Sequence, residues 1–275
     1  MSTSLQPPHD PPAHPHPQDT PLSDDQVRDS RVPDDRVPDD RVLDDQVLDN
    51  PAWAALNGAH RHLAEVVGQA GRYLEDVAPF VAIADADDPQ AWADLTRLIG
   101  PGNSFSLSGV ARLPEGWTAG EAIPGVQLVG TSVRGEFTPE AAPLSAADVP
   151  DMLDLVARTR PGPFRPRTVE MGSYVGIWHR GALVAMAGER LHPPGWTEIS
   201  AVCTDPAHRG RGFASRLVRH VAAGIQARGD VPFLHAAAAN TPAIRIYESL
   251  GFTLRRHTLF RLVHIPPHPP TTPEG

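Results

Sequence analysis

Val202-Cys203-Thr204-Asp205-Pro206-Ala207-His208-Arg209-Gly210-Arg211-Gly212-Phe213-Ala214 is the stretch around which the rest of the chain can be read. A strand-like run stops at Asp-Pro, a short loop with two glycines follows, and an amphipathic helix opens. A helix N-terminus presents unpaired N–H groups and a partial positive charge. Gly210 and Gly212 let backbone amides approach an anion with no Cβ in the way, and Arg209 and Arg211 add local positive charge. The loop is therefore suited to a phosphate or pyrophosphate. Its spacing is neither the G-x-G-x-x-G fingerprint nor a P-loop. An ordinary strand-to-helix turn carrying surface arginines satisfies the same residues.

The flanks define the surroundings of this loop. Downstream, Phe213, Leu217, Val221 and Ile225 recur at steps of four, which predicts a helix over 212–228 closed by Gly229-Asp230. A strand over 231–237, a helix over 241–250 and a last strand over 258–263 follow. Upstream, a helix begins after Leu144-Ser145 and is broken at Pro161-Gly162-Pro163. Strand signals at 174–179, 182–191 and 196–204 are separated by turns at Arg180-Gly181 and Pro193-Pro194-Gly195, so they predict consecutive antiparallel hairpins.

In this setting the sequence resembles the GNAT (GCN5-related N-acetyltransferase) superfamily. Arg209-Gly210-Arg211-Gly212-Phe213-Ala214 fits the family's cofactor loop, Arg/Gln-x-x-Gly-x-Gly/Ala, placed after a strand as expected. Some thirty residues on, Asn240-Thr241-Pro242-Ala243-Ile244-Arg245-Ile246-Tyr247-Glu248-Ser249-Leu250-Gly251-Phe252 is similar to the second signature, Asn-x-x-Ala-x-x-x-Tyr-x-x-x-Gly-Phe. The resemblance covers about 144–263. Over 51–263 the chain is similar to the glycine N-acyltransferase-like branch, whose first half is a degenerate lobe. The implied fold is α/β, a mixed and mostly antiparallel sheet flanked by helices.

The resemblance implies acetyl-CoA as cosubstrate, no metal, and direct transfer to a small-molecule or peptide amine in a ternary complex. It implies that backbone groups of Val202 and Thr204 pair with the pantetheine arm. Amides of Arg209, Gly210, Arg211, Gly212, Phe213 and Ala214 would cradle the pyrophosphate, and Asn240 would touch pantetheine. Tyr247 would protonate the leaving thiolate. Asn240 and Tyr247 are seven apart, close to two helical turns, so they can share a face. Glu198, eleven residues before Arg209, stands where a branch of the family carries its general base. Its neighbours Trp196 and Ile199 predict a raised pKa. A solvent-facing or substrate-binding Glu is the other reading, and His192 and His235 are weaker base candidates. Cys203 lacks a legible His-Asp partner and reads as a core thiol. The acceptor loops are expected around 161–171, 191–195 and 255–257. The rival from another class is a non-catalytic acyl-CoA-binding module.

The remainder of the chain bounds these readings. Of 275 residues, 40% are hydrophobic, enough for a packed core. The formal charge of −9 is uneven: residues 1–50 hold twelve Asp against four Arg, a net of −8, so the body is near neutral. That composition speaks against a nucleic-acid partner. With one cysteine, no intrachain disulfide and no Cys-rich zinc site is possible. No run suits a membrane helix or a secretory signal, and a cytoplasmic setting is expected. Val27, Val32, Val37, Val42 and Val47 mark an acidic repeat of period five, which matches neither helix nor strand. One Val in five cannot offset the ordering entropy, so 1–49 is expected to be a disordered tail. Residues 50–143 are expected to form a first α/β lobe, with Asn50 capping a helix whose apolar spacing runs to Ala70. Residues 144–265 are expected to form the acetyltransferase domain, and 266–275 a second tail. The oligomeric state is not legible.

Overall fold

The structure, a computed structural model, describes residues 44–267; the expectations for 1–43 and 268–275 lie outside the described residues. Order begins ahead of Asn50. Asp45–Asp49 form a 3-10 turn capped by Asp44, and Leu48 within it is fully buried. α1 (Pro51–Asn57) follows, but Asn50 makes no side-chain cap; its Nδ2 instead donates to the Ile83 carbonyl at 2.7 Å. The helix expected to reach Ala70 stops at Gly58. The same apolar residues continue in a turn, Arg61–Leu63, and in β1 (Ala64–Val67) and β2 (Ala70–Tyr73). Gly58, Gly68 and Gly71 interrupt helical propensity, and the β-branched pair Val66-Val67 favours the strand.

β3 (Val81–Ile83) completes a small antiparallel sheet, β1-β2-β3, covered by α2 (Pro89–Ile99), whose first turn is capped by Asp88. Then come β4 (Ser104–Ser108), β5 (Thr118–Ala119), β6 (Ile123–Val129), β7 (Ala142–Leu144), α3 (Val149–Thr159), β8 (Tyr174–His179), β9 (Ala182–Glu189) and β10 (Trp196–Thr204). α4 (Phe213–Ala227), β11 (Val231–Ala237), α5 (Thr241–Ser249) and β12 (Thr253–His264) end the described chain. The large sheet has the order β4-β12-β6-β11-β10-β9-β8-β7, with β5 on β12. Among the described strands of this sheet, β10 and β11 pair in parallel and the other neighbours pair antiparallel. β6, from the stretch expected to form a first lobe, lies between β11 and β12.

Alternation along β11 shows the layering. Leu234 packs with Leu217, Val221 and Tyr247 under α4 and α5, while Phe233 packs with Leu48, Leu56, Tyr73 and Trp196 on the other face. α3 covers that second face further along, over Met186 and Cys203.

Candidate active site

β10 and β11 run together only briefly. Their register is Trp196↔Val231, Thr197↔Pro232 and Glu198↔Phe233, and there the pairing ends although both strands continue. On its other edge β10 carries a bulge against β9 between Ser200 and Cys203, with Ala201 at φ 54°. A bulge bends its strand and increases the twist. The two central strands therefore part after Glu198, and the β11-facing edge of β10 over Val202 and Thr204 has no strand partner among the described residues. The Thr204 hydroxyl is buried without a hydrogen-bond partner among the described residues.

The wedge leads to the glycine loop. Asp205 ends the strand by accepting from the Ala207 amide at 2.8 Å and by an ion pair with Arg158. Gly210 and Gly212 have φ of 76° and 72°, values that disfavour any side chain. Gly212 is the N-cap of α4 and offers no side chain to the first-turn amides. Arg216 reaches back to the Arg211 carbonyl, and Arg209 to that of Thr204. The loop thus combines amides over 210–214 that have no partner among the described residues with three guanidinium groups; the Arg209 amide donates weakly to the Pro206 carbonyl at 3.5 Å.

α5 supplies the opposite wall. Asn240 is its N-cap, accepting weakly from the Ala243 amide at 3.4 Å. Tyr247, two turns on, is buried to all but 9% and rests edge-on against Phe252, the aromatic of the Gly-Phe signature. Burial, and secondarily the neighbouring Cys203, push its phenol up to about 12, so it holds its proton. The Cys203 thiol is likewise pushed up by burial.

At the point of the wedge, Glu198 is fully buried. Arg190 donates to it twice, Nε to Oε2 at 2.8 Å and Nη2 to Oε1 at 2.6 Å, and His235 Nδ1 lies 2.7 Å from Oε1. Burial alone would raise this carboxyl, but the Arg190 charge and hydrogen bonds, helped by His235, outweigh it and hold the group at about 2. The raised pKa expected from Trp196 and Ile199 is thereby corrected. Apolar neighbours in sequence said nothing of an arginine eight residues away across a hairpin.

One cavity of about 1160 Å³ gathers these parts. Val202, Thr204, Arg209 to Ala214, Asn240 and Tyr247 all line it, with Cys203 between them; Glu198 does not, lying beneath Arg190 and His235, which do. The far end is lined by Leu48, Asp49, Phe80, Ile83, Ile123 and Phe260. Of the expected acceptor loops, the cavity meets Pro161–Pro163, Leu191 and Arg256, whereas Met171 belongs to the core under Phe233. The N-terminal wall was not legible, because nothing in the order of residues says that 48–52 return to β6 and β12. Among the described residues no group of three His, Cys, Asp or Glu is placed to hold a metal. No helix there is long and apolar enough to cross a membrane.

A crystal structure from Novosphingobium aromaticivorans, assigned as an acetyltransferase from the GNAT family, superposes with a TM-score of 0.72 at 38% identity. The match covers 79% of this chain and 98% of that one. The chain belongs to the GNAT family. Residues 174–261, from β8 into β12, match the FR47-like protein family. Among curated relatives, the N-alpha-acetyltransferase RimI of Mycobacterium tuberculosis is 40% identical over 82 residues, covering 29% of this chain and 51% of that protein. A mycothiol acetyltransferase of Corynebacterium glutamicum is 37% identical over 79 residues, 28% of this chain and 27% of that one. The chain thus spans about half, and about a quarter, of the length of these curated relatives.

Proposed function

We propose that this GNAT protein moves an acetyl group from acetyl-CoA to the amine of a small molecule or peptide, by direct transfer while both are bound. The observation that carries the reading is the wedge: an unpaired strand edge with an orphaned Thr204 hydroxyl leads to an uncapped helix start at a glycine loop. An extended chain with amide groups and a diphosphate end fits it. Backbone groups of Val202 and Thr204 add it as a strand, and amides of 209–214 hold the phosphates. Asn240 closes the side of the wedge. Acetyl-CoA, when bound, supplies the activated acyl group. Tyr247, kept protonated at neutral pH, gives its proton to the departing thiolate, and the proton that the amine sheds on forming the amide returns to the phenol by way of solvent in the cavity.

Glu198 serves this reading as the carboxylate that orients His235, since a buried carboxylate held near 2 by Arg190 is a poor proton acceptor at neutral pH. The glycine N-acyltransferase-like branch and the cytoplasmic setting belong to the same proposal, resting on the sequence alone.

Gly212→Glu tests it. The change puts a side chain at φ 72° and a negative charge where phosphates would lie. Calorimetry should show CoA affinity lost in a folded variant, together with loss of thiol release from acetyl-CoA in the presence of pooled amines. Undiminished CoA affinity would remove the proposal's footing. CoA binding in the native chain without thiol release would favour the non-catalytic alternative.

A further inference from the structure

Five polar side chains from neighbouring segments of the sheet form one row below the far end of the cavity. Arg190, just past β9, holds Glu198 on β10, and Glu198 holds His235 Nδ1 on β11. His235 Nε2 lies 3.1 Å from Gln127 Nε2 on β6, its direct cross-strand partner. Gln127 Oε1 accepts from Arg255 at 2.9 Å. Arg255 joins the row through an irregularity in β12 between Leu254 and Arg256, which places an extra residue there. The row ends on the 44–49 segment. Gln127 Nε2 donates to the Leu48 carbonyl at 2.8 Å, Arg255 pairs with Asp45 and Asp49, and Arg256 pairs with Asp49.

These contacts fix hydrogen positions. The Gln127 amide nitrogen must face the Leu48 carbonyl and its oxygen must face Arg255. It therefore donates to His235 Nε2, and the ring carries its hydrogen on Nδ1, donated to Glu198. Were the carboxamide to turn over, its oxygen would face Nε2 and demand a hydrogen there. What holds it is supplied by 44–49, Asp-Asp-Gln-Val-Leu-Asp, the last copy of the acidic repeat.

We propose that this last repeat copy is a built part of the acceptor site: through Leu48 and Arg255 it sets Gln127, and through Gln127 the tautomer and ring position of His235, whose ring lines the cavity wall. Leu48 and Asp49 themselves wall the same end. The proposal rests on the acetyl-transfer reading for what the cavity's far end binds. It makes 44–49 a positioning element, since none of its side chains needs to touch the reacting atoms. Geometry held by a supporting shell governs how well a substrate is placed.

The test uses the full chain with Arg255→Gln, Arg255→Lys and the exposed pair Asp45→Asn/Asp49→Asn. Nitrogen-15 spectra of His235, assigned against His235→Asn, should show the Nδ1–H tautomer in the native chain. Arg255→Gln and the Asp pair should shift it toward the other tautomer, and Arg255→Lys should restore it. Calorimetry with CoA should stay within about twofold. With the amine turned over fastest from a panel of amino acids, polyamines and short peptides, the KM for amine should rise roughly tenfold while that for acetyl-CoA holds. Unchanged His235 spectra and amine KM would overturn the proposal, as would CoA affinity falling in step with amine affinity. If Arg255→Gln fails to fold, the exposed Asp pair carries the test. If the native chain neither binds CoA nor turns over any amine, the acetyl-transfer reading fails, and the His235 spectra still decide the coupling.

Discussion

Single side chains in this molecule are defined by what burial does to their protons. Tyr247 carries its proton at neutral pH as any phenol does, and burial pushes it further up, to about 12. Tyr247→Phe keeps the ring against Phe252 and removes only the donor. The proposed role predicts a kcat lower by roughly 10²–10⁴ with KM for acetyl-CoA little changed, because general acid help belongs to the transition state. Stability should move by only about 1 kcal/mol. Steady-state kinetics decides, and a near-normal kcat would make Tyr247 a packing residue. The motif made Tyr247 legible in the sequence. It did not make Glu198 legible, since its protonation depends on Arg190 and His235, which meet it only across strands. His60 gives a second prediction. Its Nδ1 lies 2.8 Å from the Tyr73 hydroxyl and its Nε2 3.0 Å from the Met171 carbonyl, and burial, then the nearby His192, lower it from 6.5 to about 4. The unfolded chain thus binds a proton between those values that the folded chain refuses. Stability is fully present above pH 6.5 and falls as pH drops toward 4, by about 3 kcal/mol for this group. Urea midpoints from pH 7 to 4.5 should show that slope, and His60→Gln should flatten it while lowering stability throughout. An equally steep variant would mean that the slope belongs to other groups.

Among the elements, β10 shows most clearly what sequence could and could not reveal. Its limits, Trp196–Thr204, follow from the turn at Pro193-Pro194-Gly195 and the stop at Asp205-Pro206. The bulge at Ala201 leaves no mark in composition, because alanine is not the residue a left-handed conformation favours. The same blindness explains α1, where apolar spacing suited a helix through Ala70 but glycines and tertiary pairing made strands. A strained alanine kept at the splay of two central strands suggests that the bend matters to the site. Ala201→Val puts a β-branched side chain at φ 54° and should cost about 1–2 kcal/mol or more. It should also weaken CoA binding, because a strand relieved of its bulge lies closer to β11. Ala201→Gly should leave stability equal or up to about 1 kcal/mol higher and preserve binding. Thermal melts with parallel calorimetry measure both, and a neutral Ala201→Val would argue against the bulge as the wedge's cause.

For the molecule as a whole, the fold class was legible because hydrophobic period, turn residues and two signatures agree over 144–263. Its assembly was not, because pairing between distant strands leaves no local trace. β12 hydrogen-bonds to β4, β5 and β6, all of which precede residue 144, and among the described residues it pairs with no strand from the later stretch. β11 likewise has β6 as its neighbour opposite β10. The face under Phe233 is closed by Leu48, Leu56 and Tyr73. A fragment of 144–265, the stretch read from sequence as the acetyltransferase domain, would therefore leave β12 without a ladder, β11 as an exposed edge and Phe233 and Trp196 in water. Unpaired edges and bared apolar faces favour association over folding. Such a fragment should show no cooperative urea transition and should bind a hydrophobic dye, whereas 44–267 should unfold in one step. Adding 44–143 to it should restore cooperativity if the sheet can assemble from two pieces. A soluble 144–265 that unfolds sharply and binds CoA as the full chain does would mean that the first half is an accessory, and that β12 finds another partner when β6 is gone.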